Sequence, residues 1–279
     1  MAKRRNSIGP WALHLFGMAF VLFLYAPLML IFAYSFNANP VNMVVWTGFT
    51  TDWYGALFGM KPAGASFDAA FTENPDRILA AVRNSLIIAL SASTISTVAG
   101  TAAALALARY RFVGQRFYRV LLLLPMIMPD IVLGIALLIF FVGAGVTLGL
   151  VTIVIGHCTF LSCYVFVVVS ARLATMDQTL EQASADLGAS PLTTFRRVTL
   201  PLLMPGVIGG FLLAFIISLD DVVITYFIAG VDTQTLPLFI LAMMRRGLRP
   251  QINALAVLLI VFSFLVASAG LYFRSRKHS

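Results

Sequence analysis

The chain has 279 residues, 60% of them hydrophobic and only 11% charged, with a formal net charge of +8. An ordinary soluble domain carries roughly 25% charged residues, so too little polar surface exists here to wrap a water-soluble core, and a bilayer must solvate much of the outside. The basic excess then reads as Lys and Arg flanking membrane spans rather than as a nucleic-acid surface.

Six apolar runs reach the roughly 20 residues that a spanning helix needs. They cover 11–36, 82–108, 118–142, 148–171, 202–229 and 252–273. The fold class expected is therefore all-α, a polytopic membrane protein of six transmembrane helices in a single domain over 1–279. Lys3, Arg4 and Arg5 precede the first run. That run exceeds the roughly 7–15 residues of a signal-peptide core, so a retained helix is expected. With the N-terminus in the cytoplasm, Lys61, Arg77, Arg83, Arg245, Arg246 and Arg249 fall outside, and the other thirteen of the 19 Lys and Arg fall inside. This agrees with the positive-inside rule and puts both termini in the cytoplasm. The cluster at 245, 246 and 249 runs against the rule; it is expected to cap an external helix or to touch a partner.

Two connections are long. The external one, 37–81, holds Trp46 and Trp53 and reads as a partly irregular lobe. The cytoplasmic one, 172–202, carries strong local signals. Thr175 and Gln178 have capping-box spacing, with Asp177 as the other candidate cap. Leu180, Ala183 and Leu187 then share a helical face, and Gly188 stands where a left-handed residue ends a helix. Ser190–Pro191 is a fresh N-cap and N1 pair. Pro201 and Pro205 punctuate the start of the fifth run. Two short helices joined by a glycine turn are expected, their apolar residues either packing back on the bundle or forming a knob for a cytoplasmic partner.

This stretch resembles the EAA loop of bacterial ABC-importer permeases, of type I permease fold. Gln182, Ala183 and Ser184 occupy the Glu-Ala-Ala positions, with Gly188, Val198, Leu200 and Pro201 at the family's spacing. Gln182 departs from the usual Glu, although Glu181 stands directly before it. In the family this loop inserts into a cleft of the ATPase subunit, which assigns coupling to Glu181, Gln182, Ala183, Asp186, Gly188, Leu200 and Pro201. The segments LYAPLMLIFAYSFN, MPDIVLG, SLDDVVITYFIAG and TLPLFILAMMRRGLRPQINALA resemble, more narrowly, the spermidine/putrescine permease subunits of the bacterial inner membrane. That resemblance implies a second homologous permease, a dimer of ATP-binding subunits and an external substrate-binding protein. ATP and magnesium would sit on the ATPase, and this chain would carry no cofactor.

Three carboxylates lie inside apolar runs, where each costs about 2.5–3.5 kcal/mol at a helix centre. At about 1.5 Å per residue, Asp130 is roughly 18 Å from the cytoplasmic end of its run, and Asp220 roughly 22 Å beyond Pro205. All three acids thus fall between the midplane and the outer half. Pro125 and Pro129 predict a kink before Asp130. A polycation would use Asp130, Asp220 and Asp221 for charge, Tyr226 for its alkyl stem, and Trp46 near the entrance. Other readings stand beside these: Asp130 as a cap for the helix resuming after Pro129, and Trp46 and Trp53 as interface anchors. On a regular helix Asp220 and Asp221 point about 100° apart, so one is expected to face the path and the other a partner permease.

The sequence contains no G-x-x-x-x-G-K-[ST], G-x-S-x-G or H-E-x-x-H, so ATP hydrolysis, if it drives transport, belongs to another chain. Cys158 and Cys163 read as packing residues. His14, His157 and His278 are scattered and suggest no metal or catalytic set. A secondary transporter using the aspartates as cation or proton sites is the rival reading, weakened by the lack of a clear internal repeat. A membrane enzyme lacks a nucleophile–base pair.

Overall fold

The computed structural model describes residues 10–40, 45–60, 74–177, 179–246, 251–261 and 264. Among these the protein is helical, with one isolated antiparallel bridge, Asn37 to Phe49. It divides into two compact units, 1–78 with 240–279, and 79–239.

In the first unit, α1 (Pro10–Tyr34) runs unbroken through Pro27. It leaves its large apolar side chains exposed, Phe23 at 79%, as suits a helix covered by lipid. The lobe after it is held by aromatic packing. Phe36 stacks on Phe49 at 5.1 Å, and Ser35 Oγ bonds the Tyr54 hydroxyl at 2.7 Å. Trp53, in α2 (Asp52–Leu57), is wholly buried and donates Nε1–H to the Asn37 carbonyl at 2.7 Å. It is the core of the lobe, not an entrance residue or an interface anchor. The expected loop over 37–81 is also shorter than read, because α3 (Pro75–Arg109) begins inside it. Asn74 opens that helix by accepting the Asp76 N–H at 2.8 Å, with Pro75 at the first position.

The second unit is built around α6 (Leu150–Ala174), whose Val165, Val169 and Leu161 are fully buried. Small residues let its neighbours approach. A Cβ on Gly100 of α3 would lie 2.7 Å from the Ser162 carbonyl and 2.8 Å from Val165 Cβ, and one on Gly210 would lie 3.2 Å from Val165 Cγ1. Gly100→Leu is therefore expected to destabilise the unit by at least the roughly 1–3 kcal/mol of an overpacked core. A thermal midpoint equal to that of the unsubstituted protein would contradict this contact.

The third apolar run bends before Asp130, as expected, but far more sharply than a kink. It is two helices, α4 (Gln115–Ile127) and α5 (Asp130–Gly143), bent by 106°. Met128 and Pro129 are extended, at ψ 141° and 134°. The proline ring disfavours helical ψ at the residue before it, and Pro129 offers no N–H to continue the ladder. The fifth run is likewise broken. α9 (Leu200–Asp220) stops at Asp220, and a short α10 (Val223–Ile228) follows an extended Asp221. Among the described residues four helices are long and apolar enough to cross a membrane, or five if the bent pair is one span. The all-helical membrane architecture stands, and the count of six is not reached among these residues. The last run is represented by α12 (Gln251–Val261), and most of the rest of 252–273, with both chain termini, lies outside those residues. Before it, α11 (Leu236–Arg246) starts on α3, with Ser85 Oγ accepting the Leu236 N–H at 2.8 Å. Arg245 and Arg246 lie in its last turn; Arg249 is outside the described residues.

Candidate functional site

Two clusters stand out in the second unit. The first is the turn expected at 172–202. Thr175 ends α6 instead of opening a helix, donating its hydroxyl to the Arg172 carbonyl at 2.9 Å. Gln178 lies outside the described residues. Asp177 supplies the cap for α7 (Thr179–Asp186), accepting the Thr179 N–H at 2.9 Å. That bond and one from the Thr179 hydroxyl hold the Asp177 carboxyl below its ordinary range.

Gly188 ends α7 in the left-handed region at φ +79°, and the Ala189 N–H reaches back to the Ser184 carbonyl at 3.1 Å. Ser190 then caps α8 (Pro191–Thr194), accepting the Thr193 N–H at 3.3 Å. Ser184 and Thr194 bond across the turn at 3.0 Å.

The second short helix does not stand alone. It continues through a π-helical turn, Phe195–Thr199, directly into α9. Pro201 causes no break here. In a regular helix its ring would press on the carbonyl four residues back. The extra residue of the π turn, with the Leu200 N–H bonded to the Phe195 carbonyl, absorbs the conflict.

Glu181 joins this turn to two other elements. Its Oε1 forms an ion pair with Arg109 at the end of α3 and accepts the Thr199 hydroxyl at 2.8 Å. The carboxylate displaced by one position from the family pattern is thus used within the chain. Gln182, Ala183 and Asp186 are exposed, as is Pro201; Leu200 is half-buried. Leu180, Leu187 and Leu192 are exposed at 49%, 88% and 75%. These three leucines therefore do not pack back on the bundle, whereas Phe195 and Val198 are half-buried; the leucines leave apolar surface open at the turn.

The second cluster lies at the break after α9. Asp220 is exposed, the last residue of its helix. Asp221 turns inward: Oδ2 accepts the Thr225 N–H at 2.8 Å and the Thr225 hydroxyl at 2.7 Å, and lies 3.2 Å from His157 Nε2. His157, on α6, is wholly buried, with Nδ1 2.8 Å from Ser218 Oγ and Nε2 3.0 Å from Thr225 Oγ1. α10 is seated tightly beside it. A Cβ on Gly134 would come within 2.6 Å of Phe227 Cδ2, and Thr152 donates to the Ile228 carbonyl at 2.9 Å. Tyr226 is exposed on this same short helix. Asp130 opens α5 as its first residue, exposed, with no side-chain cap bond at that end. It neither caps the helix nor joins the His157 network. Trp46 belongs to the first unit, exposed and edge-on to Tyr34 at 6.4 Å.

His157 was passed over in the sequence because its partners stand 61 and 68 residues away. The available signal was a titratable ring inside an apolar run. Cys158 and Cys163 are free thiols, and among the described residues no group of His, Cys, Asp and Glu could hold a metal.

Residues 96–278 match the family described as binding-protein-dependent transport system inner membrane component. The chain is 38% identical over 274 residues to the putrescine transport system permease protein PotI of Escherichia coli K12, covering 96% of this chain and 92% of that one. It is 38% identical over 257 residues to the spermidine/putrescine transport system permease protein PotC of Haemophilus influenzae, covering 92% and 94%. Among solved structures, a bacterial ABC transporter involved in import of the polysaccharide alginate superimposes with a TM-score of 0.70 at 15% identity, over 97% of this chain and 98% of that one. The MetNI methionine ABC transporter in inward-facing form gives 0.60 at 18% identity, over 71% and 96%. At those identities the likeness concerns the fold, which is that of ABC transporter membrane subunits. The match over 96–278 and the 38% identity along nearly the whole chain carry the assignment further: the chain belongs to the binding-protein-dependent transport system inner membrane component family.

Proposed function

We propose that this chain is one permease subunit of an ATP-driven importer of polyamines such as putrescine or spermidine. The observation that carries the reading is the 38% identity with a putrescine permease over 96% of the chain. The intramembrane carboxylates supply its chemistry. A diamine carries two charges whose hydration must be replaced inside the membrane. Asp130 and Asp220 offer charge, Asp221 being held inward by Thr225 and His157, and Tyr226 offers a face for an ammonium and its alkyl stem.

The chain forms half of the path, the other half coming from a second, related permease. A dimer of ATP-binding subunits, holding ATP and magnesium, docks on the turn at 172–202. An external binding protein delivers substrate, and both termini lie in the cytoplasm. Transport proceeds by alternating access: nucleotide closes the ATPase dimer, the turn moves with it, and the spans reopen toward the binding protein. The exposed Leu180, Leu187 and Leu192 support the docking, since open apolar surface gains by being covered.

The test is uptake of labelled putrescine by vesicles holding the chain with its partner subunits. Asp220→Asn with Asp221→Asn is expected to lower uptake at least tenfold, roughly the 1.4 kcal/mol of one weakened charge contact, with the complex still assembled. Unchanged uptake removes the acidic path. Uptake by this chain alone, without any ATPase, would instead favour a secondary transporter.

A further inference from the structure

The adjacent carboxylates at the break after α9 have different surroundings, and that difference can be argued from atoms. Thr225 has one hydroxyl hydrogen, and the 2.7 Å contact gives it to Asp221 Oδ2. The Thr225 oxygen can then only accept from His157 Nε2, 3.0 Å away, so Nε2 carries the ring proton. Among the described residues Ser218 Oγ has no hydrogen-bond partner other than His157 Nδ1. Each polar atom of the group is thus paired. The imidazole touches both sides of the break: Ser218 in the last turn of α9, and Asp221 and Thr225 beyond it.

We propose that His157 is a positioning residue for the translocation path: it clamps Asp221 as an internal anchor of the broken helix, and so leaves Asp220 as the carboxylate that meets the cationic substrate. The assignment of a cationic substrate rests on the function proposed above; the clamp itself does not. The cause of the division is steric and electrostatic. Asp221 spends its lone pairs on Thr225, Ile224 and His157, and its side chain is only 9% exposed. Asp220, one residue earlier, is exposed. Without the clamp the extended residue at 221 has no fixed geometry, and the end of α9 that presents Asp220 loses its orientation.

The two roles answer to different substitutions. In the complete transporter, with putrescine as the probe, Asp220→Glu is expected to keep at least half of the uptake and Asp220→Asn to lose at least tenfold, because charge is what matters there. Asp221→Glu is expected to lose at least tenfold despite keeping the charge. The longer side chain cannot place one oxygen on the Thr225 N–H, the Thr225 hydroxyl and His157 together. His157→Leu should lose as much as Asp221→Leu, and the double variant should be no worse than either. His157→Gln, whose amide can donate where Nε2 does, should recover most of the uptake. Asp221→Glu transporting as well as Asp220→Glu, or defects at 157 and 221 that multiply, overturns the proposal.

The same cycle is read independently as the thermal midpoint of the purified complex. Shifts for His157→Leu and Asp221→Leu that overlap support the clamp, and shifts that add overturn it. A wild-type complex that takes up no polyamine refutes the substrate reading alone, and the thermal cycle still decides the clamp.

Discussion

Gly188→Leu is expected to abolish uptake while ATP hydrolysis by the assembled transporter continues. The structure separates two effects that the sequence leaves merged. A Cβ on Gly188 would meet nothing within 4 Å, so the isolated chain has room for the side chain. What it resists is the backbone at φ +79°, a strain of roughly 1–2 kcal/mol for a residue other than glycine. That is too little to unfold a chain whose helices pack as tightly as α3 and α6. A complete loss of uptake must therefore come from the outer side of the turn, where a leucine would occupy the space proposed for the ATPase. Gly188→Asn separates the two causes, because asparagine accepts the left-handed region but still adds a side chain. Hydrolysis and uptake measured on the same vesicles give the answer. If Gly188→Leu transports normally, the turn does not enter a partner at all.

The second large effect is expected at Glu181. Glu181→Ala removes the acceptor of both Arg109 and Thr199, leaving the guanidinium at the end of α3 without its carboxylate. A hydrogen bond to a charged group is worth roughly 1.5–3 kcal/mol when buried. The pair is partly exposed, at 30% and 18% for the two side chains, so solvent screening reduces this to about 1 kcal/mol of stability. The functional loss is expected to be larger, about tenfold in uptake, because the pair fixes the angle between α7 and the spans. Arg109→Glu with Glu181→Arg restores the attraction in reverse and should recover a substantial part of it. A charge swap no better than either single change would mean that the contact is incidental.

Short-range chemistry made the turn at 172–202 legible. Asp177, Gly188 and the Ser190–Pro191 pair each act on backbone within four residues, and each does what its type and position imply. The apolar runs of α1, α3 and α6 were equally plain, since length and composition suffice for them. Three features were not legible. The 106° bend between α4 and α5 was marked by Pro125 and Pro129, but its size is set by packing against other helices. The break at Asp221 lies inside one long apolar run, and the buried His157, reaching Ser218 on one side and Asp221 and Thr225 on the other, ties it together. The fusion of α8 into α9 reverses the expectation from Pro201, because one extra residue in the π turn costs less than ending the helix. At Asp221 a contact from far along the chain overrides the local preference, and at Pro201 a change of helical winding does.

The unbroken rod from Pro191 to Asp220 has a mechanical corollary. Its 30 residues extend for roughly 45 Å at about 1.5 Å per residue, with the exposed turn after Gly188 at one end and the acidic break at the other. Such a rod conveys torque as well as thrust, so a twist imposed near Ser190 arrives at Asp220 with little delay or loss. It also locks the two ends in phase: each residue gained or lost between them turns one end by about 100° relative to the other. The π turn, which carries one residue more than a regular helix would, is then the index mark that sets which way the carboxylate points.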